Sequence, residues 1–296
     1  MAIALDPILL GHNPFFGIDH RSQTQGNMKA ERFENSDAIL EVLSFSHELG
    51  VRGMMMSTHP RAAVISRILG ENPHTLRGWR IYPLVPYLQQ YVRQANAKGL
   101  VQMLSDALTR GDPMGGLGLL FQGGRSLLMK DVSSMLTILI DQELRMFQGR
   151  PLGAVFLHDG LTDLALGLGI EPVLELFRDH VEKKYGVPAG FATKNPPLLQ
   201  ERLKARGWKN LLVMASLNPI GFSVNPSLES CEQVLQTPEI DFVAMNTLAG
   251  GAVPPEEAYR FLARFPAVRS VVVGFSQKNH AEETVRAIQD HLLCPR

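Results

Sequence analysis

Short, almost wholly apolar runs recur along the chain, each closed by glycine, proline or asparagine, and longer stretches between them repeat their apolar positions with a helical period. Runs of that length, with no alternation of polar and apolar positions, are the pattern of strands buried on both faces of a parallel sheet. Eight read this way: residues 8–10, 51–56, 81–85, 154–157, 189–192, 211–215, 242–245 and 271–274. The first helix between them is well marked. Ser36 reads as its N-cap, Ile39, Leu40, Leu43 and Leu49 form its apolar stripe, and Gly50 stops it. Further helices are expected over 62–69, 88–108, 172–185, 197–205, 228–235, 256–263 and 281–292.

Strand and helix therefore alternate from end to end, with no dominant glycine-rich first turn. This predicts an α/β chain folded as one (β/α)8 TIM barrel over residues 1–296, with an open doubly wound sheet as the fold alternative. The rhythm breaks between strands three and four. An insertion at about residues 111–148 carries Gly115, Gly116, Gly118, Gly123 and Gly124 before a helix over 132–147, and reads as a surface excursion or as a lid hinged on its glycines. The glycines do not form a dinucleotide fingerprint, because no strand feeds them in the required way.

Twenty-nine basic residues balance twenty-nine acidic ones, so no broad field draws the chain to nucleic acid or to an anionic membrane. A small-molecule substrate is the expected partner, and an oligomer is compatible with the sequence. Cys231 and Cys294 lack metal-site or CxxC spacing, which fits a reducing, cytoplasmic setting. No basic start precedes a long apolar run, and no apolar run approaches the roughly 18 residues of a membrane span.

The chemistry is expected where the strands end. Prolines follow several of them, as in Asn13-Pro14, His59-Pro60, Val85-Pro86, Asn195-Pro196 and Asn218-Pro219, and a residue before proline is held extended. In a barrel of this kind the carboxyl ends of the strands form the active-site mouth. His12, His59 and His158 end strands one, two and four, and three imidazoles at one mouth could ligate a divalent metal or share acid/base work. Asp159 is placed to orient His158. Asn218, Asn246, Tyr87 and Lys194 are candidate substrate contacts, with Lys194 also a candidate Schiff-base nucleophile, whereas Asn195 reads as a helix cap. His47, His180 and His291 fall in helices and read as solvated surface groups.

From Ala154 onward the chain resembles the aldo-keto reductase superfamily, over about half its length. The resemblance rests on 154–159 (Ala-Val-Phe-Leu-His-Asp), 187–193 (Val-Pro-Ala-Gly-Phe-Ala-Thr), 246–251 (Asn-Thr-Leu-Ala-Gly-Gly) and 268–285, with its Val-Val-Val-Gly-Phe-Ser strand and acidic helix. It implies a barrel, places His158 at the family's catalytic histidine, and makes Ser276 and Lys278 phosphate contacts for NADP(H). Three further family residues are missing. Strand two should end in an Asp followed shortly by a Tyr, and reads Met54 to His59; strand three should end in a Lys, and reads Leu84-Val85-Pro86-Tyr87. For a proton donor this leaves His158, Tyr82 or Tyr87.

Taken together, the sequence predicts an aldo-keto-reductase-like barrel enzyme with altered chemistry. It would catalyse isomerisation, elimination or hydrolysis of a small polar carbonyl or sugar-like substrate by acid/base or metal-assisted catalysis, with His158 moving the proton and His12 and His59 completing the site. An NAD(P)H-dependent oxidoreductase is the first alternative, and a non-catalytic binding protein on a barrel scaffold the second.

Overall fold

Chain segments that are apolar on both faces need cover on both faces, and a closed parallel barrel wrapped in helices supplies it. The computed structural model, which describes residues 4–19, 22–87, 129–237 and 239–293, shows that arrangement. The strands are β1 (Ile8–Gly11), β2 (Gly53–Ser57), β3 (Arg80–Val85), β4 (Val155–Leu157), β5 (Ala189–Ala192), β6 (Leu211–Ser216), β7 (Ile240–Met245) and β8 (Val268–Val273). Each pairs in parallel with its sequence neighbour. The ring closes where Ile8 faces Val271 and Leu9 faces Val272.

Strand side chains alternate between two cores, as the pleat requires. Leu9, Met55, Tyr82, Leu84, Phe156, Leu212, Met214, Val243 and Val272 fill the barrel interior. Their neighbours Leu10, Met54, Met56, Ile81, Val85, Val155, Leu157, Val213 and Ala244 point outward to the helices. Those helices are α1 (Gln23–Arg32), α2 (Ser36–Glu48), α3 (Pro60–Glu71), α4 (Met129–Leu144), α5 (Asp159–Leu168), α6 (Pro172–Tyr185), α7 (Pro196–Ala205), α8 (Leu228–Leu235), α9 (Pro255–Leu262) and α10 (Lys278–Ile288). The expected cap of α2 moves by one residue: Asn35, not Ser36, takes that position and accepts from the Asp37 N–H at 2.8 Å. Both α1 and α5 escape the sequence pattern, since α1 is mostly polar and each carries an internal glycine.

The amino-terminal end of the barrel is closed by a polar plug. Asp6 accepts from Arg80 Nε at 2.9 Å and Nη2 at 2.8 Å, and from the Tyr82 hydroxyl at 2.7 Å. The same hydroxyl accepts the Asp6 N–H at 2.9 Å, and Ser270 Oγ donates to the Asp6 carbonyl at 2.7 Å. Burial, with the Asp6 carboxylate beside it, pushes the Tyr82 hydroxyl far above its ordinary pKa. A Cβ at Gly153 would fall 2.1 Å from Tyr82 Cζ, so only glycine leaves the ring its place. Tyr82 therefore faces the closed end of the barrel, and the expectation that it could protonate a substrate at the mouth is corrected.

Between β3 and β4 the described part of the insertion is α4 and a short 3-10 turn, Arg145–Phe147, close to the helix expected over 132–147. The remainder of the expected lid and the helix expected over 88–108 lie outside the described residues. Asp141 pins α4 to α6 by accepting from His180 Nε2 at 2.8 Å, Lys184 Nζ at 2.6 Å and the Tyr185 hydroxyl at 2.6 Å. Burial pushes the Asp141 carboxyl up, but these donors outweigh it and hold the pKa below the usual carboxylate value. His180 is thus a structural partner and not the solvated group expected. No described helix is long and apolar enough to cross a membrane.

Candidate active site

His158 follows β4 directly, and its backbone N–H donates to the Val85 carbonyl at 2.7 Å, which fixes it beside the end of β3. Its Nδ1 lies 2.7 Å from Asp159 Oδ1. The Gly160 N–H stands 3.1 Å from both His158 Nδ1 and Asp159 Oδ1. One nitrogen cannot donate to the carboxylate and accept from the amide together. The shorter, charge-assisted contact decides it: Nδ1–H donates to Asp159, Gly160 caps through the same carboxylate, and Nε2 keeps the other lone pair. Lys194 Nζ lies 3.3 Å from Asp159 Oδ2. Burial raises the Asp159 pKa, but the hydrogen bond from His158 and the electrostatic attraction of the His158 ring and the Lys194 ammonium override that and hold it well below the usual carboxylate range.

Behind this group Asp163 accepts from Thr193 Oγ1 at 2.5 Å and from the Lys194 N–H at 2.9 Å. Burial, reinforced by the nearby Asp159 charge, moves its pKa up. The Lys194 backbone is held by one aspartate and its ammonium by another, so it reads as a partner of Asp159 more than as a free nucleophile. Asn195 caps α7 as expected, accepting the Leu198 N–H at 3.1 Å.

The structure does not assemble the three histidines into a metal site. His12 Nδ1 donates to the Met55 carbonyl at 3.3 Å, and its Nε2 faces Ser57 Oγ at 3.4 Å, so both ring nitrogens are engaged. His59 spends Nδ1 on the Arg61 N–H at 3.1 Å as the cap of α3. Phe16 packs on both rings, with centroids 4.7 Å from His12 and 4.5 Å from His59. Among the described residues no cluster of three or more His, Cys, Asp or Glu is placed to hold a metal ion, so the expected divalent metal at His12, His59 and His158 is corrected.

The two asparagines part company. Asn218 is fully buried, donates to the Phe222 and Asn246 carbonyls at 2.8 and 3.1 Å and accepts from the Phe222 N–H at 2.8 Å, which commits its amide to the loop after β6. Turn chemistry accounts for it. Asn246 sits at a positive φ of 51° after β7, donates to Ser216 Oγ at 2.8 Å and lines the principal cleft of the mouth.

That cleft holds about 540 Å³ and runs between the ends of β1, β7 and β8 and the first turns of α10, with His12, Met245, Val272 and Ser276 in its walls. Gln277, the cap of α10, makes no side-chain bond to the helix, so the first-turn amides of α10 have no side-chain cap. Asp19 and Lys29 stand on the rim as an ion pair at 2.7 Å. The Ser276 carbonyl accepts from Arg32 Nη1 at 2.8 Å. Lys278 lies outside the lining and points to Glu48 at 3.5 Å on the open surface.

No family model and no curated protein matches the chain. Solved structures do. A protein from Pseudomonas aeruginosa described as a candidate aldo-keto reductase superimposes with a TM-score of 0.59 at 14% identity, over 97% of this chain and 91% of its own. An aldo-keto reductase from Bacillus halodurans in its holo form gives 0.54 at 13% identity, over 95% and 86%. The Bombyx mori enzyme in complex with NADP gives 0.51 at 8%, over 96% and 84%. The fold is that of an aldo-keto-reductase-type barrel.

On this barrel His158 follows β4, and the residues just past β2 and β3 include Thr58 and Tyr87, with neither the Asp nor the Lys that the resemblance implies. A carboxylate does reach those ends, from outside the strands. Glu143 on α4 accepts from Thr58 Oγ1 and, at 2.9 and 3.2 Å, from the Tyr87 N–H. Sequence reasoning missed it, because an acid in an amphipathic helix reads as part of a solvated face.

Proposed function

We propose that this chain is a divergent aldo-keto-reductase-like enzyme, an NAD(P)H-dependent oxidoreductase that interconverts a small polar carbonyl compound and its alcohol at the carboxyl-terminal mouth. The observation that carries the reading is the cleft between β1, β7, β8 and α10, which joins apolar walls at Met245 and Val272 to the start of α10, a helix without a side-chain cap, where His280, Glu283 and Thr284 line it. Backbone amides at a helix start suit a phosphate, and an apolar wall suits a flat ring. Ser276 and the α10 amides would hold the phosphate, Met245 and Asn246 would face the ring, and a bound nicotinamide supplies or accepts a hydride.

The residues of the chain supply the proton and the orientation. His158, held by Asp159 through Nδ1, would offer Nε2 as the proton-transfer atom, and Lys194 stands beside the other oxygen of Asp159. Asn246 is the candidate contact for a substrate oxygen. One observation favours a second reading, cofactor-free isomerisation, elimination or hydrolysis by the same histidine: the Asp and Lys expected beneath the reacting carbonyl are absent from β2 and β3. Titration of the protein with NADPH, read by cofactor fluorescence, separates the two. The oxidoreductase reading expects saturable binding at one site per chain with Kd of about 1–100 µM, the range in which KM values of such substrates commonly fall. No saturation at millimolar NADPH hands the site to the second reading.

A further inference from the structure

We infer that Glu143 is a positioning residue of the mouth, fastening the end of β2 to the end of β3 so that the His59 and Tyr87 rings stand at a fixed angle beside His158. The carboxylate is buried, with the residue only 7% exposed, and it holds two strands at once. Its Oε2 receives both the Thr58 hydroxyl and the Tyr87 N–H, and its Oε1 shares the latter. Thr58 and Tyr87 are not paired in the sheet, because β3 leaves the ladder at Val85 and β2 at Ser57. Beyond those points the backbone bonds of the sheet no longer fix their separation, and a carboxylate bridge does.

What the bridge fixes is chemical in character. His59 follows Thr58 immediately, and its ring meets the Tyr87 ring edge-on, with centroids 5.3 Å apart and planes at 78°. His158 is tied to the same end of β3 through the Val85 carbonyl at 2.7 Å. Three groups able to carry or accept a proton thus stand on three adjacent strand ends, and Glu143 sets the relative placement of two of them. The bridge comes from the helix of the β3–β4 insertion, itself fastened to α6 by Asp141 two residues earlier. Its carboxylate thus meets the ends of the two strands that lack the Asp and Lys the resemblance implies.

This inference rests on the mouth being the reacting site, so its test reads geometry and turnover separately. Histidine 13Cε1–1H resonances, assigned through His59→Asn and His158→Asn variants, are recorded for the wild type, Glu143→Ala and Glu143→Gln, together with melting temperatures. Glu143→Ala is expected to move the His59 signal toward its random-coil position as the ring currents of Tyr87 are lost, while His47 on the far surface stays. Glu143→Gln keeps an acceptor and is expected to restore the His59 signal. With a substrate in hand, Glu143→Ala lowers kcat about tenfold or more and leaves NADPH affinity within twofold. An unmoved His59 signal in Glu143→Ala overturns the inference, even if stability falls. Should that variant fail to fold, Thr58→Val, which deletes a single hydroxyl, takes its place with the same two outcomes. A protein that binds no NADPH yet shows the His59 shift sinks the oxidoreductase reading alone.

Discussion

Glutamine at His158 is expected to lower turnover by about 100- to 10,000-fold, the usual contribution of a positioned acid/base group, while NADPH affinity changes less than twofold. The two effects separate because the two sites do: His158 stands at the end of β4, and the cleft is walled by β1, β7, β8 and α10 without it. Glutamine keeps a donor for Asp159, whose carboxylate goes on accepting the Gly160 N–H, so the start of α5 is expected to persist. What it removes is the bare Nε2. Steady-state assays of NADPH oxidation over a panel of small aldehydes, ketones and keto sugars, beside cofactor titration of both proteins, check this. A fall in cofactor affinity equal to the fall in turnover would mean that His158 serves binding and not proton transfer.

Asp6→Ala is expected to cost about 3 kcal/mol of stability, read as a shift of the urea midpoint without a change in slope. Three of the five hydrogen bonds of the plug end on the carboxylate. Its loss leaves the buried Tyr82 O–H without an acceptor, although the backbone N–H of residue 6 still donates to the same oxygen, and leaves the Arg80 guanidinium without its partner. An unpaired buried hydroxyl costs about 1–3 kcal/mol. Arg80, more than a third exposed, can turn to water and adds less than a fully buried cation would. Because the plug lies at the opposite end from His158, turnover at low denaturant is expected to survive. A loss below 1 kcal/mol would show that water replaces the carboxylate freely and that the plug is a surface feature.

The barrel was legible because burial on both faces leaves a run with no polar interruption, and each of the eight runs became a strand with bounds within a few residues. The starts of β7 and β8 were placed least well: Asp241 and Arg269 interrupt the apolar pattern, yet they form an ion pair at 3.1 Å at the amino-terminal ends of the two strands. Strand-end residues were legible as a set, since proline and asparagine mark where each strand stops. Their roles were not. Whether an imidazole faces a metal, a cap or a carboxylate depends on which nitrogen meets which neighbour, and His12, His59 and His158 each engage Nδ1 differently. Asn218 and Asn246 look alike in sequence, and only the return of the loop to Phe222 distinguishes the structural amide from the one lining the cleft. Glu143 was invisible for a related reason. Its partners lie 85 and 56 residues away, and nothing local to α4 announces them.

Proton transfer by His158 requires a bare Nε2. Long-range 15N–1H correlation of the histidine rings at neutral pH, with His158 assigned by substitution, reads the tautomer directly. The expected result is a protonated, pyrrole-type Nδ1 held by Asp159 and an unprotonated Nε2. A proton on Nε2, with Nδ1 accepting the Gly160 amide, would contradict it and make His158 a helix cap.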